Sequence, residues 1–146
     1  ADFFNKTLTP LNRKDWLERS FEFYKKYDFI FLDPDNGLEP PKAKISNKKK
    51  IKYILNDELK KLFMLGKTIC FCQFQAFNLP HKNLLEEKKK QLYDLCGISL
   101  KVPILRNRVG PNTFFIIITP DKNINKIETF LIKYVDSIPK TELVYI

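Results

Sequence analysis

YDFIFLDPDNGLEPP, residues 27–41, sets the architecture expected of this chain. Its four consecutive large apolar residues, Phe29 to Leu32, run into acids, an amide, a glycine and prolines. A continuous apolar run that turn formers cut off is typical of a strand buried on both faces, as in a parallel sheet. We therefore predict a strand over residues 28–33 with the acids at its carboxyl end, the edge where open α/β sheets bind ligands.

Composition favours one globular domain with a polyanionic partner. The chain has 146 residues, 44% of them hydrophobic, and a formal net charge of +9. A basic excess of this size suits RNA or DNA. The candidate nucleic-acid-binding residues are the lysine run Lys48, Lys49 and Lys50 and the two arginines of a predicted hairpin, Arg106 and Arg108. Lysine runs are also common on solvated surfaces that bind nothing.

The three cysteines indicate free thiols rather than a disulfide framework. Cys70 and Cys72 alternate on one face of a predicted strand, and Cys96 ends a predicted helix. An odd number of cysteines in apolar surroundings is typical of a reducing compartment. With no signal peptide and no apolar run long enough to cross a membrane, we predict a cytoplasmic protein without a membrane partner.

Helical and strand patterns alternate along the chain. Predicted helices cover residues 10–26, 56–65, 80–95 and 122–137; predicted strands cover 28–33, 68–74, 99–106, 113–119 and 141–146. Residues 34–50 are expected to form a long loop, and residues 107–112 a hairpin turn. Alternating units predict a three-layer α/β fold with an open, mostly parallel sheet of the Rossmann type and an antiparallel hairpin near the C-terminus.

This order of elements resembles the second half of a class I S-adenosylmethionine-dependent methyltransferase. The sequence match is Asp33-Pro34, in the place of the Asp/Asn-Pro-Pro-aromatic loop after the fourth strand, with Asp35 and Asn36 in the last two positions. The resemblance implies that Asp33 accepts a hydrogen bond from a target amine. Asn36 and Gln73 would orient that amine, and Pro34 and Gln75 would complete the substrate site.

The cofactor half of that family has no counterpart here. The family binds S-adenosylmethionine through a glycine-rich loop after its first strand, but only 27 residues precede the strand at 28–33, and none is glycine. We therefore expect residues 1–146 to form a single domain, either the carboxyl part of a larger protein, which we favour, or a minimal domain that lacks that cofactor site. S-adenosylmethionine remains a candidate cofactor only through the resemblance.

A second interpretation makes the two acids metal ligands. Asp33 and Asp35, with Glu39 or Asp121 joining, would hold Mg²⁺ while a phosphate is attacked. The segment Asp33 to Leu38 resembles the Asp-x-Asp-Gly-Thr motif of haloacid-dehalogenase phosphatases, which implies a nucleophilic Asp33 and a general acid Asp35. A phosphohydrolase or nuclease is therefore an alternative, and a non-catalytic module that binds nucleic acid or protein is another.

Overall fold

The computed structural model describes all residues 1–146. Its five strands form one sheet, and its helices lie on both faces of that sheet. The elements in chain order are α1 (Arg13–Tyr24), β1 (Phe29–Leu32), α2 (Asn47–Lys50), α3 (Asn56–Phe63), β2 (Thr68–Phe74), α4 (His81–Cys96), β3 (Ile104–Asn107), β4 (Thr113–Ile118), α5 (Ile124–Ser137) and β5 (Thr141–Val144).

The sheet is mixed, so the prediction of a mostly parallel sheet is wrong. The strand order is β1-β2-β4-β3-β5. Only β1 and β2 pair in parallel, with Phe29 opposite Thr68 and Leu32 opposite Phe71. The pairs β2–β4, β3–β4 and β3–β5 are antiparallel.

Strand neighbours explain the difference. The sequence patterns identified every strand. Only one strand–helix–strand crossover, β1-α3-β2, joins two strands that pair in parallel. After α4 the chain places β3 one position farther out, and the predicted hairpin returns β4 into the gap beside β2. Because β3 and β2 both pair antiparallel with β4, the carboxyl ends of β1, β2 and β3 lie at the same edge of the sheet.

Two apolar clusters hold the layers together. The larger joins one sheet face, including Ile30 and Phe71, to α3 through Leu59 and Leu62 and to α4. The smaller joins the opposite face to α5 through the fully buried Leu131. None of the helices has both the length and the apolar character needed to cross a membrane.

The strand β1 is not buried on both faces as predicted. Ile30 is buried, but Phe29 and Phe31, on the opposite face, are 52% and 49% exposed. The reason is position: β1 is the edge strand, and the side chains packed against α5 come from the other strands and their flanks, such as Cys70, Leu105 and Ile117.

Element boundaries differ from the predictions mainly in loops. The predicted loop 34–50 contains the single helical turn α2, and the strand predicted over 99–106 is regular only at Ile104–Asn107. The first helix begins at Arg13 because Thr9 and Asn12 bond reciprocally just before it: the Thr9 N–H donates to Asn12 Oδ1 at 2.7 Å, and the Asn12 N–H to Thr9 Oγ1 at 3.3 Å.

Candidate functional site

The chain leaves β1 into a loop that closes back on residues 52–54. Three backbone bonds of 2.9 Å make the closure: Asn36 N–H to Lys52 O, Ile54 N–H to Gly37 O, and Glu39 N–H to Ile54 O. The closure holds Leu38 in the core at 1% exposure. Asp33, Asp35 and the Asn36 side chain stay exposed at the carboxyl end of β1, as predicted.

Gln73 fixes this loop from β2. Its Oε1 accepts the buried N–H of Leu38 at 3.0 Å. Gly37 has a φ of +85°, and a Cβ placed there would lie 2.5 Å from that same oxygen. Gly37 is thus required both by its left-handed backbone and by the close approach of Gln73. The amide predicted to bind substrate is engaged in supporting the loop.

A buried polar network supports the loop from α4, and the sequence did not indicate it. Lys88 is 4% exposed, and its Nζ donates to Gln91 Oε1 at 3.1 Å and to the Leu38 carbonyl at 3.4 Å. Gln91 Nε2 donates to Glu39 O and Asn56 Oδ1, each at 2.8 Å. Burial lowers the pKa of Lys88, and the nearby charges of Glu87 and Glu39 oppose that shift.

Beside the loop lies a cleft of about 290 Å³, the best candidate for a ligand site. Its walls come from α1, from α3 and from residues 51–54, and Asp33 and Pro34 form part of its lining. Most of the lining is apolar, as in small-molecule sites generally, and the volume is at the lower end of the usual range. Its aromatic lining residues are Trp16, Phe21, Tyr24, Phe31 and Tyr53.

Arg13 joins the cleft walls. Its Nε and Nη2 each donate to the Glu58 carboxylate at 2.6 Å, and both side chains are 16% exposed. Nη1 also donates to Lys50 O at 2.9 Å, and Nη2 to Tyr53 O at 3.1 Å. One guanidinium therefore connects α1, α3, the last residue of α2 and the segment after α2. This clamp was not predicted, since no local spacing relates residues 13 and 58.

The pKa of the Cys72 thiol is affected by the charge of the neighbouring Asp33. Burial first, and then the neighbouring Asp33 carboxylate, raises the pKa of Cys72 to about 12. Burial raises the pKa of Cys70 to about 12 as well. All three cysteines are free and buried, and the protonated Cys70 and Cys72 are poor nucleophiles near neutral pH.

The two lysine runs have different surroundings. Lys48 and Lys49 are exposed and lie just before residues 51 and 53, which line the cleft; neither forms an ion pair, and the same is true of Lys50 and Lys52. In α4, by contrast, Lys88 is buried and Lys90 pairs with Asp94 at 2.5 Å. The lysines of the first run, unlike Lys88 and Lys90, therefore keep an unpaired charge at the surface.

The hairpin arginines are partly neutralised. Arg106 donates to Glu142 at 2.8 Å and to Asn112 Oδ1 at 2.9 Å, and Arg108 lies 4.0 Å from Glu142. Gln75 is engaged there too, since its Oε1 accepts two hydrogen bonds from Asn112. The strand order puts β3, which carries Arg106, three strands from β1, about 14 Å away at the usual strand spacing.

The site contains neither a cluster of metal-ligating side chains nor a glycine-rich loop. Asp33 and Asp35 do not belong to any group of three or more His, Cys, Asp and Glu side chains placed to hold a metal ion. For S-adenosylmethionine, the only glycine beside the site is Gly37, whose open face is already filled by Gln73. The residues present therefore do not fit the glycine-rich cradle of that cofactor, and we derive no methyl-transfer step.

No family model matches the chain, and neither a curated protein nor a solved structure was found to resemble it.

Proposed function

We propose that the chain is a methyltransferase-like domain that binds single-stranded nucleic acid and takes one unstacked base into the cleft at Asp33. The carrying observation is the cleft itself, an aromatic and apolar recess of about 290 Å³ with a carboxylate in its lining. A recess of this size suits a single ring system. Bases without a stacking partner bind proteins by stacking on aromatic side chains such as these.

Asp33 would select the base by its exocyclic group. An ionised carboxylate only accepts hydrogen bonds, so it is suited to the amino group of cytosine or adenine. Thymine presents a carbonyl oxygen at the corresponding position of its ring, and a carboxylate repels that oxygen. The site should therefore prefer amine-bearing bases.

The lysines beside the cleft would hold the phosphates. Lys48, Lys49 and Lys52 are exposed and carry no internal ion partner. Phosphate contacts of this kind give affinity and position without base selectivity. Affinity and selectivity are therefore assigned to different residues, and each can be tested separately.

Asp33→Asn tests the selectivity. We expect the wild type to bind a short deoxycytidine oligonucleotide at least about tenfold more tightly than a deoxythymidine oligonucleotide of equal length, because a good base contact contributes about 1–3 kcal/mol. The amide of Asn can donate to the thymine oxygen, so the variant should lose or reverse this preference. Fluorescence anisotropy with labelled oligonucleotides measures both affinities.

Asp121→Asn is the matched control, since it removes one exposed carboxylate remote from the cleft. The preference of this variant for the deoxycytidine oligonucleotide over the deoxythymidine oligonucleotide should equal that of the wild type. Equal affinity of the wild type for both oligonucleotides would contradict the assignment of Asp33 as the selecting group.

Replacing Lys48 and Lys49 with Gln should weaken the binding of both oligonucleotides equally. Each lost phosphate contact removes about 0.7 from the slope of log affinity against log salt for single strands, so the double variant should lose about 1.4. The control is Lys89→Gln with Lys90→Gln, which removes the same charge from α4. Titrations between about 50 and 200 mM salt give the slopes. If both double variants change the slope alike, the lysines act only through net charge and the proposed phosphate site is wrong.

A further inference from the structure

A strap of residues 2–8 lies along α1 without regular secondary structure. At one end, Asp2 accepts a hydrogen bond from the Tyr27 hydroxyl, just beyond the last turn of α1. At the other end, the Thr7 carbonyl accepts a hydrogen bond of 2.9 Å from the side chain of Asn12, which precedes the first turn. The strap forms no backbone–backbone hydrogen bond, so contacts with side chains hold it in place.

The strap fixes the Trp16 ring at the wall of the cleft. The indole Nε1–H donates to the Lys6 carbonyl at 2.7 Å. The Phe4 ring lies 5.4 Å from the Trp16 ring at an angle of 75°, an edge-to-face contact. Phe4 is itself held on α1 by the rings of Phe23 and Tyr24, at 5.5 and 6.3 Å. One hydrogen bond and one aromatic contact from the strap therefore orient the indole.

The other aromatic rings of the cleft have different surroundings. Phe21 and Tyr24 pack against the larger apolar cluster, and Phe31 packs against an aromatic ring of β4 at 6.4 Å. Trp16 and Tyr53 belong to neither apolar cluster. Of these two rings, Trp16 is the one with a side-chain hydrogen bond and an aromatic neighbour to orient it. A ring that is oriented in advance, but is not part of the core, can receive a ligand at little cost in ordering.

We propose that Trp16 is the ring on which the base stacks, and that Phe4 is a positioning residue that acts through Trp16. This inference rests on the proposed function, because it names the ring that receives the base. Stacking of a base on an aromatic side chain increases affinity about 5- to 150-fold. It needs no particular base, since every base has a π face, so Trp16 contributes affinity and Asp33 contributes selectivity.

Trp16→Leu should weaken binding of the deoxycytidine oligonucleotide at least about fivefold by fluorescence anisotropy. Trp16→Phe keeps a smaller ring and should recover part of the loss, which excludes misfolding as its cause. Tyr53→Leu is the matched comparison, because it removes the other cleft ring that lies outside the core; its loss should be smaller. Equal losses in Trp16→Leu and Tyr53→Leu would overturn the assignment of the stacking ring.

Phe4→Ala tests the positioning role, with Phe3→Ala as control because Phe3 is adjacent and 83% exposed. In the free protein, acrylamide should quench Trp16 more strongly in Phe4→Ala than in the wild type, and equally in Phe3→Ala. Phe4→Ala should also weaken oligonucleotide binding in the wild-type background and have no further effect in Trp16→Leu, since coupled residues are not additive.

Two results would overturn the positioning role. One is equal quenching in Phe3→Ala and Phe4→Ala, a measurement that uses no nucleic acid. The other is the same loss of affinity from Phe4→Ala with and without Trp16, because Phe4 would then act through stability alone. If Trp16→Leu binds as well as the wild type and keeps the preference for deoxycytidine, this inference fails and the role of Asp33 stands. If the wild type binds neither oligonucleotide, the proposed function and the stacking role of Trp16 both fail.

Discussion

Gly37→Ala should lower the free energy of unfolding by about 2–5 kcal/mol. A left-handed backbone costs a residue with a Cβ about 1–2 kcal/mol. The new methyl group would also lie 2.5 Å from Gln73 Oε1, so the amide must move and the buried Leu38 N–H loses its acceptor. An unsatisfied buried donor costs about 1–3 kcal/mol more.

Gly66→Ala separates the two causes. Gly66 has a φ of +75°, but a Cβ there would meet nothing within 4 Å. The control should therefore show only the backbone cost of about 1–2 kcal/mol. Urea denaturation measures the free energy of unfolding of both variants. If the two variants lose the same amount, the Gln73 side chain moves aside at no cost and does not hold the loop.

Arg13→Ala should lower the free energy of unfolding by about 2–4 kcal/mol and weaken oligonucleotide binding. Breaking a buried ion pair costs about 3–5 kcal/mol because one charge is left without a partner, and the slight exposure of this pair reduces that figure. The substitution also removes the hydrogen bonds to the carbonyls of Lys50 and Tyr53. The wall that α1 contributes to the cleft would then lose its connection to α3.

Arg19→Ala, on the same helix, is the matched control. Arg19 pairs with Asp15 at 3.0 Å, but both side chains are more than 60% exposed. Such surface pairs contribute about 0–1 kcal/mol, so stability and binding should change little. If Arg13→Ala were as mild as Arg19→Ala, the guanidinium would not be a clamp. Arg13→Lys should recover only part of the loss, since an ammonium cannot bind a carboxylate through two parallel hydrogen bonds.

The local patterns located the strands and the four longer helices, but they could not order the strands. Apolar runs and turn formers are local signals, and they place β1, β2 and the β3–β4 hairpin near their observed positions. Which strand lies beside which depends on packing between distant segments. The sequence Phe29 to Leu32 has the composition of a central strand, yet it lies at an edge.

The candidate site was predictable in its position and not in its supports. Asp33 lies at the carboxyl end of β1, as the break from apolar to polar residues indicates. The side chains that hold the site in place bond to residues distant in sequence: Gln73 is 35 residues from Leu38, and Arg13 is 45 residues from Glu58. Lys88 lies within a run of three lysines, a pattern that suggests a solvated face of α4. In the structure its side chain instead contacts the buried loop at the Leu38 carbonyl.

Trp16 allows the most direct measurement of the central claim, that a base enters the cleft. It is the only tryptophan of the chain and lines the cleft, so its fluorescence reports on that site alone. Titration with a deoxycytidine oligonucleotide should give saturable quenching, with a midpoint that agrees with the anisotropy affinity. In Asp33→Asn the midpoint should move to higher concentration. Binding by anisotropy with no change in Trp16 emission would place the nucleic acid elsewhere and contradict the account.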